Sequence, residues 1–179
     1  MTATTDAKPD AKPASRRGSR ANQRSAARLA AVQALYQMDV AQTGVTDILA
    51  EYEALRLGQE VGDEDTADAK YAPADAAFFR DIVTGVVREQ SALDTRIDAA
   101  LAKGWPLQRL DTTLRAILRA GTYELEFRAD VPPKAAINEY VEVGHAFYEG
   151  DVMRMINGVL DRLARDLKPD QMGPPRRTA

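Results

Sequence analysis

A chain of 179 residues, 45% hydrophobic and 28% charged, is long enough for one globular domain with tails, and its apolar runs fall well short of the roughly 20 residues that a membrane span needs. It has no cysteine and one histidine, His145, which removes disulfides, thiolate metal sites and cysteine nucleophiles and argues against a histidine triad. The formal charge of -3 is unevenly spread: Lys8, Lys12, Arg16, Arg17, Arg20, Arg24 and Arg28 against Asp6 and Asp10 give residues 1–28 a charge of +5, which leaves -8 for the remainder. A basic arm on an acidic body points to an anionic partner for the arm.

Residues 1–15 hold no large apolar side chain beyond Met1 and are expected to be a disordered tail. They also lack the apolar stretch of a secretory leader, so the expected location is cytoplasmic. A first helix is predicted from about Ser19 to Ala41, with Leu29, Val32, Tyr36 and Val40 on its inward stripe. Arg17, Arg20, Arg24 and Arg28 fall on a second stripe roughly 110° around that helix, and Leu35 lies on the arginine side, where only a partner would use it. Thr46 is a plausible N-cap for a second helix that turns Ile48, Leu49, Tyr52 and Leu55 inward and stops near Gly58. The acidic stretch 58–71 then reads as a flexible surface loop.

Pro73 opens a long helical region with Phe78, Ile82, Val83 and Val86, followed by Leu93, Ile97 and Leu101, a pattern that fits one kinked helix or two. After the connector Trp105–Pro106, Asp111 can cap a helix carrying Leu114, Ile117, Leu118, Gly121 and Leu125. Pro132 and Pro133 mark the start of the next, with Ile137, Tyr140, Val141, Gly144 and Tyr148 in register. Gly150 is expected to end it in a left-handed conformation, and Asp151 to cap a last helix along Val152, Ile156, Val159, Leu160, Leu163 and Leu167. Residues 169–179 should be a frayed tail. Strand alternation is missing throughout, so the class is all-α with about seven helices, the folded domain spanning residues 16–168.

Arginines pair bidentately with phosphate and stack on unpaired bases, so the arginine stripe suits single-stranded RNA; a merely solvated helix end is the plain alternative. Tyr36 could stack on a base or pack in the core. Asn157 and Gly158 suggest close helix packing, and His145 a structural role. Glu124, Glu126, Glu139 and Glu142 read as a solvated face, because no nucleophile, phosphate loop or metal cluster accompanies them. The expectation is a protein that is not an enzyme and holds no metal or cofactor.

Four ordered blocks, ARLAAVQALYQMDV, FFRDIVTGVV, LDTTLRAILRAGTYEL and VPPKAAINEYVEVGHAF continuing to NGVLDRL, resemble the NusB family of bacterial transcription antitermination factors over nearly all of Arg16 to Leu167. The resemblance implies two small helical bundles packed together. It also implies a non-catalytic adaptor that binds boxA RNA of ribosomal RNA operon transcripts with the ribosomal protein NusE and acts on RNA polymerase alongside other Nus factors. By that likeness the RNA-binding residues are Arg16, Arg17, Arg20, Arg24, Arg28, Tyr36, Asp151, Arg154 and Met155, while Leu35 is a candidate protein contact from its place on the helix alone. Relatives often carry an aromatic at the position of Met155. The loop 58–71 departs from the family's tighter connection, and Gly18 and Ser19 interrupt its basic run. A NusB-like RNA- or protein-interaction module serving an rRNA methyltransferase or another partner is the alternative. A monomer and a homodimer are both compatible with the sequence.

Overall fold

A computed structural model describes residues 16–57 and 74–173, with side chains from Arg20 onward; the expected tail 1–15 and all of the loop 58–71 lie outside the described residues. Within them the chain forms α1 (Arg16–Ala41), α2 (Val45–Leu55), α3 (Ala76–Ala100), a 3-10 turn at Leu107–Arg109, α4 (Thr112–Phe127), α5 (Pro133–His145), α6 (Asp151–Leu167) and α7 (Pro169–Met172). The first three helices form one group and α4, α5 and α6 another, with α4 packed against helices of both, so one hydrophobic core runs through the fold.

The central position of α4 follows from its composition. Leu114, Ala116, Ile117, Leu118, Ala120, Gly121, Thr122, Tyr123, Glu124 and Leu125 are all buried, and a helix that is apolar around most of its girth has to lie inside. Its start is fixed by Asp111, whose carboxylate accepts the Leu114 N–H at 3.1 Å. A cap also sets the start of α3, where Asp75 accepts the Phe78 N–H at 3.0 Å. α3 is one continuous helix: nothing between Ala76 and Ala100 breaks the period, and the stripe from Phe78 through Val86 continues at Leu93 and Ile97.

Several expectations are corrected. α1 starts at Arg16, ahead of Ser19, and its core face is Ala27, Ala31, Val32, Ala34 and Leu35. Val40 is 60% exposed, as the interior belongs to a strip of small alanines that lets α1 sit close to α3 and α4. Leu35, expected to face a partner, is therefore buried in the core. α2 is capped by Gly44 instead of Thr46 and leaves Leu55 exposed.

α5 ends at His145, five residues before Gly150. Gly150 itself has φ +66° and ψ -125°, a conformation only glycine adopts readily, and it stands in the cap position of α6. Asp151 is the first residue of α6 and makes no side-chain cap. The close approach expected at Gly158 occurs elsewhere. A Cβ on Gly144 would meet Met153 and Ile156 within 3 Å, whereas Gly158 is exposed with no heavy atom within 4 Å of that point. Pro169–Met172, placed in the frayed tail, is helical and buries Met172.

Candidate nucleic-acid interface

The arginine stripe divides as α1 passes under α5 and the turn before it. Arg16 and Arg17 lie on the helix, and their side chains are outside the described residues. Arg20 is exposed. Arg24 is half-buried: its Nη2 donates to Asp130 Oδ2 at 2.9 Å, its Nε lies 3.8 Å from Asp75, and its guanidinium sits 4.7 Å from the centre of the Phe78 ring. Arg28 is in the interior. Its Nε donates to Glu124 at 3.0 Å and its Nη1 to Glu139 at 3.1 Å, with a further contact from Nη2 to Glu124.

Arg28 therefore corrects the expectation of a free phosphate contact. Glu124 is completely buried and has no other ion-pair partner among the described residues, so Arg28 is needed there as a counter-charge. Burial lowers the acidity range of a guanidinium, but the hydrogen bond and charge of Glu124, with Tyr140 and Glu139, outweigh it and hold Arg28 more firmly protonated. Glu124 and Glu139, read as a solvated face, thus belong to an internal network that Ser25 joins by donating to Glu139.

A second ion pair holds the same end of α1. Arg128, just past α4, donates to both oxygens of Asp130 at 2.9 and 3.1 Å and to Asp81 at 2.9 Å, and its guanidinium also lies over Phe78, at 4.9 Å. Three arginines surround one phenyl ring, an arrangement that uses the ring's negative face. A cleft of about 290 Å³ opens here, and Arg20, Arg24, Asp130, Pro132 and Glu139 line it.

Tyr36 lies four and a half turns further along α1, about 24 Å from Arg20 at 1.5 Å per residue. It is 42% exposed, so it does not pack in the core, and it lines an apolar groove with Val40, Tyr52, Arg56 and Phe147. Phe147 belongs to the connector that leads into α6. Asp151 and Arg154 are exposed at the start of that helix and pair with each other. Met155 packs partly against the core and shows only part of its side chain.

The structure thus places Arg20 and Arg24 together at one end of α1, Tyr36 beside Phe147 near the other, and the Asp151–Arg154 pair four residues beyond Phe147. Asp130, Phe78 and Phe147 were not anticipated. Asp130 had a signal in the Arg128-Ala-Asp130 spacing; Phe78 reads from its spacing only as core, and Phe147 falls outside the stripe of Ile137, Tyr140, Val141, Gly144 and Tyr148. No group of three or more metal-ligating side chains occurs among the described residues, and no described helix is long and apolar enough to cross a membrane.

The comparisons with known proteins agree with this fold. The NusB family profile matches residues 25–165. A transcription antitermination protein NusB from Bradyrhizobium sp. (strain BTAi1 / ATCC BAA-1182) is 57% identical over 144 residues, covering 80% of this chain and 82% of its own. One from Nitrobacter hamburgensis is 57% identical over 135 residues, covering 75% and 81%. Among solved structures, T. maritima NusB superposes with a TM-score of 0.63 at 29% identity over 83% of this chain and 94% of that one. A chain from a complex of NusB and NusE with double-stranded RNA superposes with a TM-score of 0.62 at 20% identity, covering 84% and 98%. With a family match that spans the core from α1 to α6, and relatives at this identity over most of their length, the chain belongs to the NusB family.

Proposed function

We propose that the protein is a non-catalytic antitermination adaptor that holds boxA RNA of ribosomal RNA operon transcripts, in single-stranded form, together with NusE in the cytoplasm. The observation that carries this is the exposed, arginine-bearing end of α1 in a chain whose family members are transcription antitermination proteins. The solved complex of NusB and NusE with double-stranded RNA supports NusE and RNA as classes of partner. Phosphates would meet Arg16, Arg17 and Arg20, with Arg24 at the cleft, and an unpaired base could stack on the half-exposed ring of Tyr36. Asp151, Arg154 and the visible edge of Met155 would receive the strand at α6. The acidic body suits a basic ribosomal protein, and the groove at Tyr36, Val40 and Phe147 offers it the apolar contact that buried Leu35 does not.

The informative variant is Arg20→Glu. Because Arg20 is exposed, the reversal is expected to leave helicity and melting unchanged while RNA affinity falls roughly tenfold or more, the value of a lost charge-assisted hydrogen bond. Fluorescence anisotropy with a labelled boxA-like RNA reads the affinity, and circular dichroism the fold. Equal RNA binding by the variant would remove Arg20 from the interface. Arg24→Glu is a poorer probe, since it would set a third carboxylate against Asp130 and Asp75.

A further inference from the structure

We infer that Asp130 is a built-in competitor for RNA phosphate: it occupies the anion-binding side of Arg24 and lowers the affinity of the α1 arm for any strand until a phosphate displaces it. This rests on the RNA-binding reading above. In the cleft between α1 and the start of α5, Arg28 is fully used by Glu124 and Glu139, and Arg20 is open. Arg24 stands between these two cases. Its one close hydrogen bond to an acid is to Asp130 at 2.9 Å, Asp75 being 3.8 Å away, and its Nε has no hydrogen-bond partner among the described residues.

Asp130 is placed as a phosphate would be. Arg24 reaches it from one side and Arg128 from the other with two hydrogen bonds, and both guanidiniums are steadied over the Phe78 ring. Two guanidiniums converging on the two oxygens of one carboxylate is the geometry arginines also use for two oxygens of a phosphodiester. The Asp130 side chain is 49% exposed, so an incoming anion can reach the pair from solvent. Its carboxyl is held down to about 2, chiefly by the hydrogen bond from Arg128, which outweighs the opposing effect of burial, with Arg24 adding to the lowering. It is therefore ionised at any working pH, and only another anion or a shift of the turn can free Arg24.

The functional consequence follows from what phosphate contacts do. They position a strand without reading its sequence, so an internal anion that must be given up weakens binding to all strands alike. Base contacts and the partner protein then decide which RNA is held.

The test is a set of anisotropy titrations with labelled boxA-like single-stranded RNA across a salt series, using the unaltered protein and the variants Asp130→Asn, Arg24→Gln, both together, and Glu142→Gln. The last removes an equal charge from an exposed site on α5. Asp130→Asn is expected to tighten binding about two- to fivefold, the range of a half-exposed ion pair given up. It should also steepen the dependence of log affinity on log salt by up to about 0.7, because binding no longer leaves a displaced carboxylate to take up a cation. In the Arg24→Gln background that gain should vanish, and Glu142→Gln should show less of it. Asp130→Ser must behave as Asp130→Asn does, and serves if the amide variant melts low. Tightening no larger than in Glu142→Gln, or tightening that persists without Arg24, overturns the inference and leaves RNA binding by the protein intact. RNA bound by Asp130→Asn but not by the unaltered protein supports it. No binding by any of them overturns both the inference and the RNA reading.

Discussion

Arg28→Ala is expected to destabilise the fold by about 3–5 kcal/mol, because it leaves the carboxylate of Glu124 buried without a counter-charge. For a domain of this size that corresponds to a fall in melting temperature of roughly 6–20 °C. The loss comes from two sources: the guanidinium fills space against Phe78, and Glu124 has no route to water from the middle of α4. Replacing both members, Arg28→Met with Glu124→Leu, should recover most of the stability, since apolar side chains of similar volume often match a buried ion pair. Urea and thermal unfolding of the three proteins give the comparison. A stable Arg28→Ala protein that has lost RNA binding would contradict the structural role and return Arg28 to the interface.

Gly85→Ala is the second large expected effect, and its sign is informative. In an open helix interior the change would stabilise by about 1 kcal/mol. On α3 the new Cβ would stand 2.0 Å from Cζ of Tyr123 and 2.3 Å from its hydroxyl, in the seam between α3 and α4. Tyr123 cannot readily turn aside, because its ring stacks on Phe127 and its hydroxyl donates to Asp81 at 3.2 Å. Overpacking of this kind costs about 1–3 kcal/mol and occasionally more, so net destabilisation of about 2 kcal/mol is expected in urea unfolding. Combining it with Tyr123→Leu should remove the clash and part of the loss. If Gly85→Ala alone were stabilising, α3 and α4 would have to lie farther apart than described.

Much of this fold is legible in the sequence where a residue type has one favourable use. Asp111 before an apolar run caps α4, Pro133 opens α5, and the period from Leu114 to Leu125 describes α4. In α1 the difference comes from weighing side chains by size. The large residues Tyr36 and Val40 drew the stripe, but Ala27, Ala31 and Ala34 occupy the interior because small side chains let helices approach. Gly158 was read as a packing glycine on local pattern, whereas Gly85 and Gly144 hold those contacts; which helix surface meets another is a property of the assembled fold.

The site was legible in type and less so in detail. A helical wheel puts Arg20, Arg24 and Arg28 on one line, and no local rule shows that Glu124 and Glu139, about a hundred residues later, will claim Arg28 while Asp130 claims Arg24. Long-range charge pairing is set when α4 and α5 close over α1, and the sequence spacing holds no trace of it. Tyr36 shows the opposite case: core packing and surface stacking were both open, and its exposure favours the surface.

The most direct test of the central claim is fluorescence anisotropy of labelled boxA-like RNA titrated with the unaltered protein, with and without NusE, over a range of salt. Saturable binding is expected that tightens when NusE is present and weakens with salt by roughly 0.7 in log affinity per phosphate contact for each unit of log salt. Flat titrations in both conditions, from protein shown by circular dichroism to be helical and folded, would contradict it.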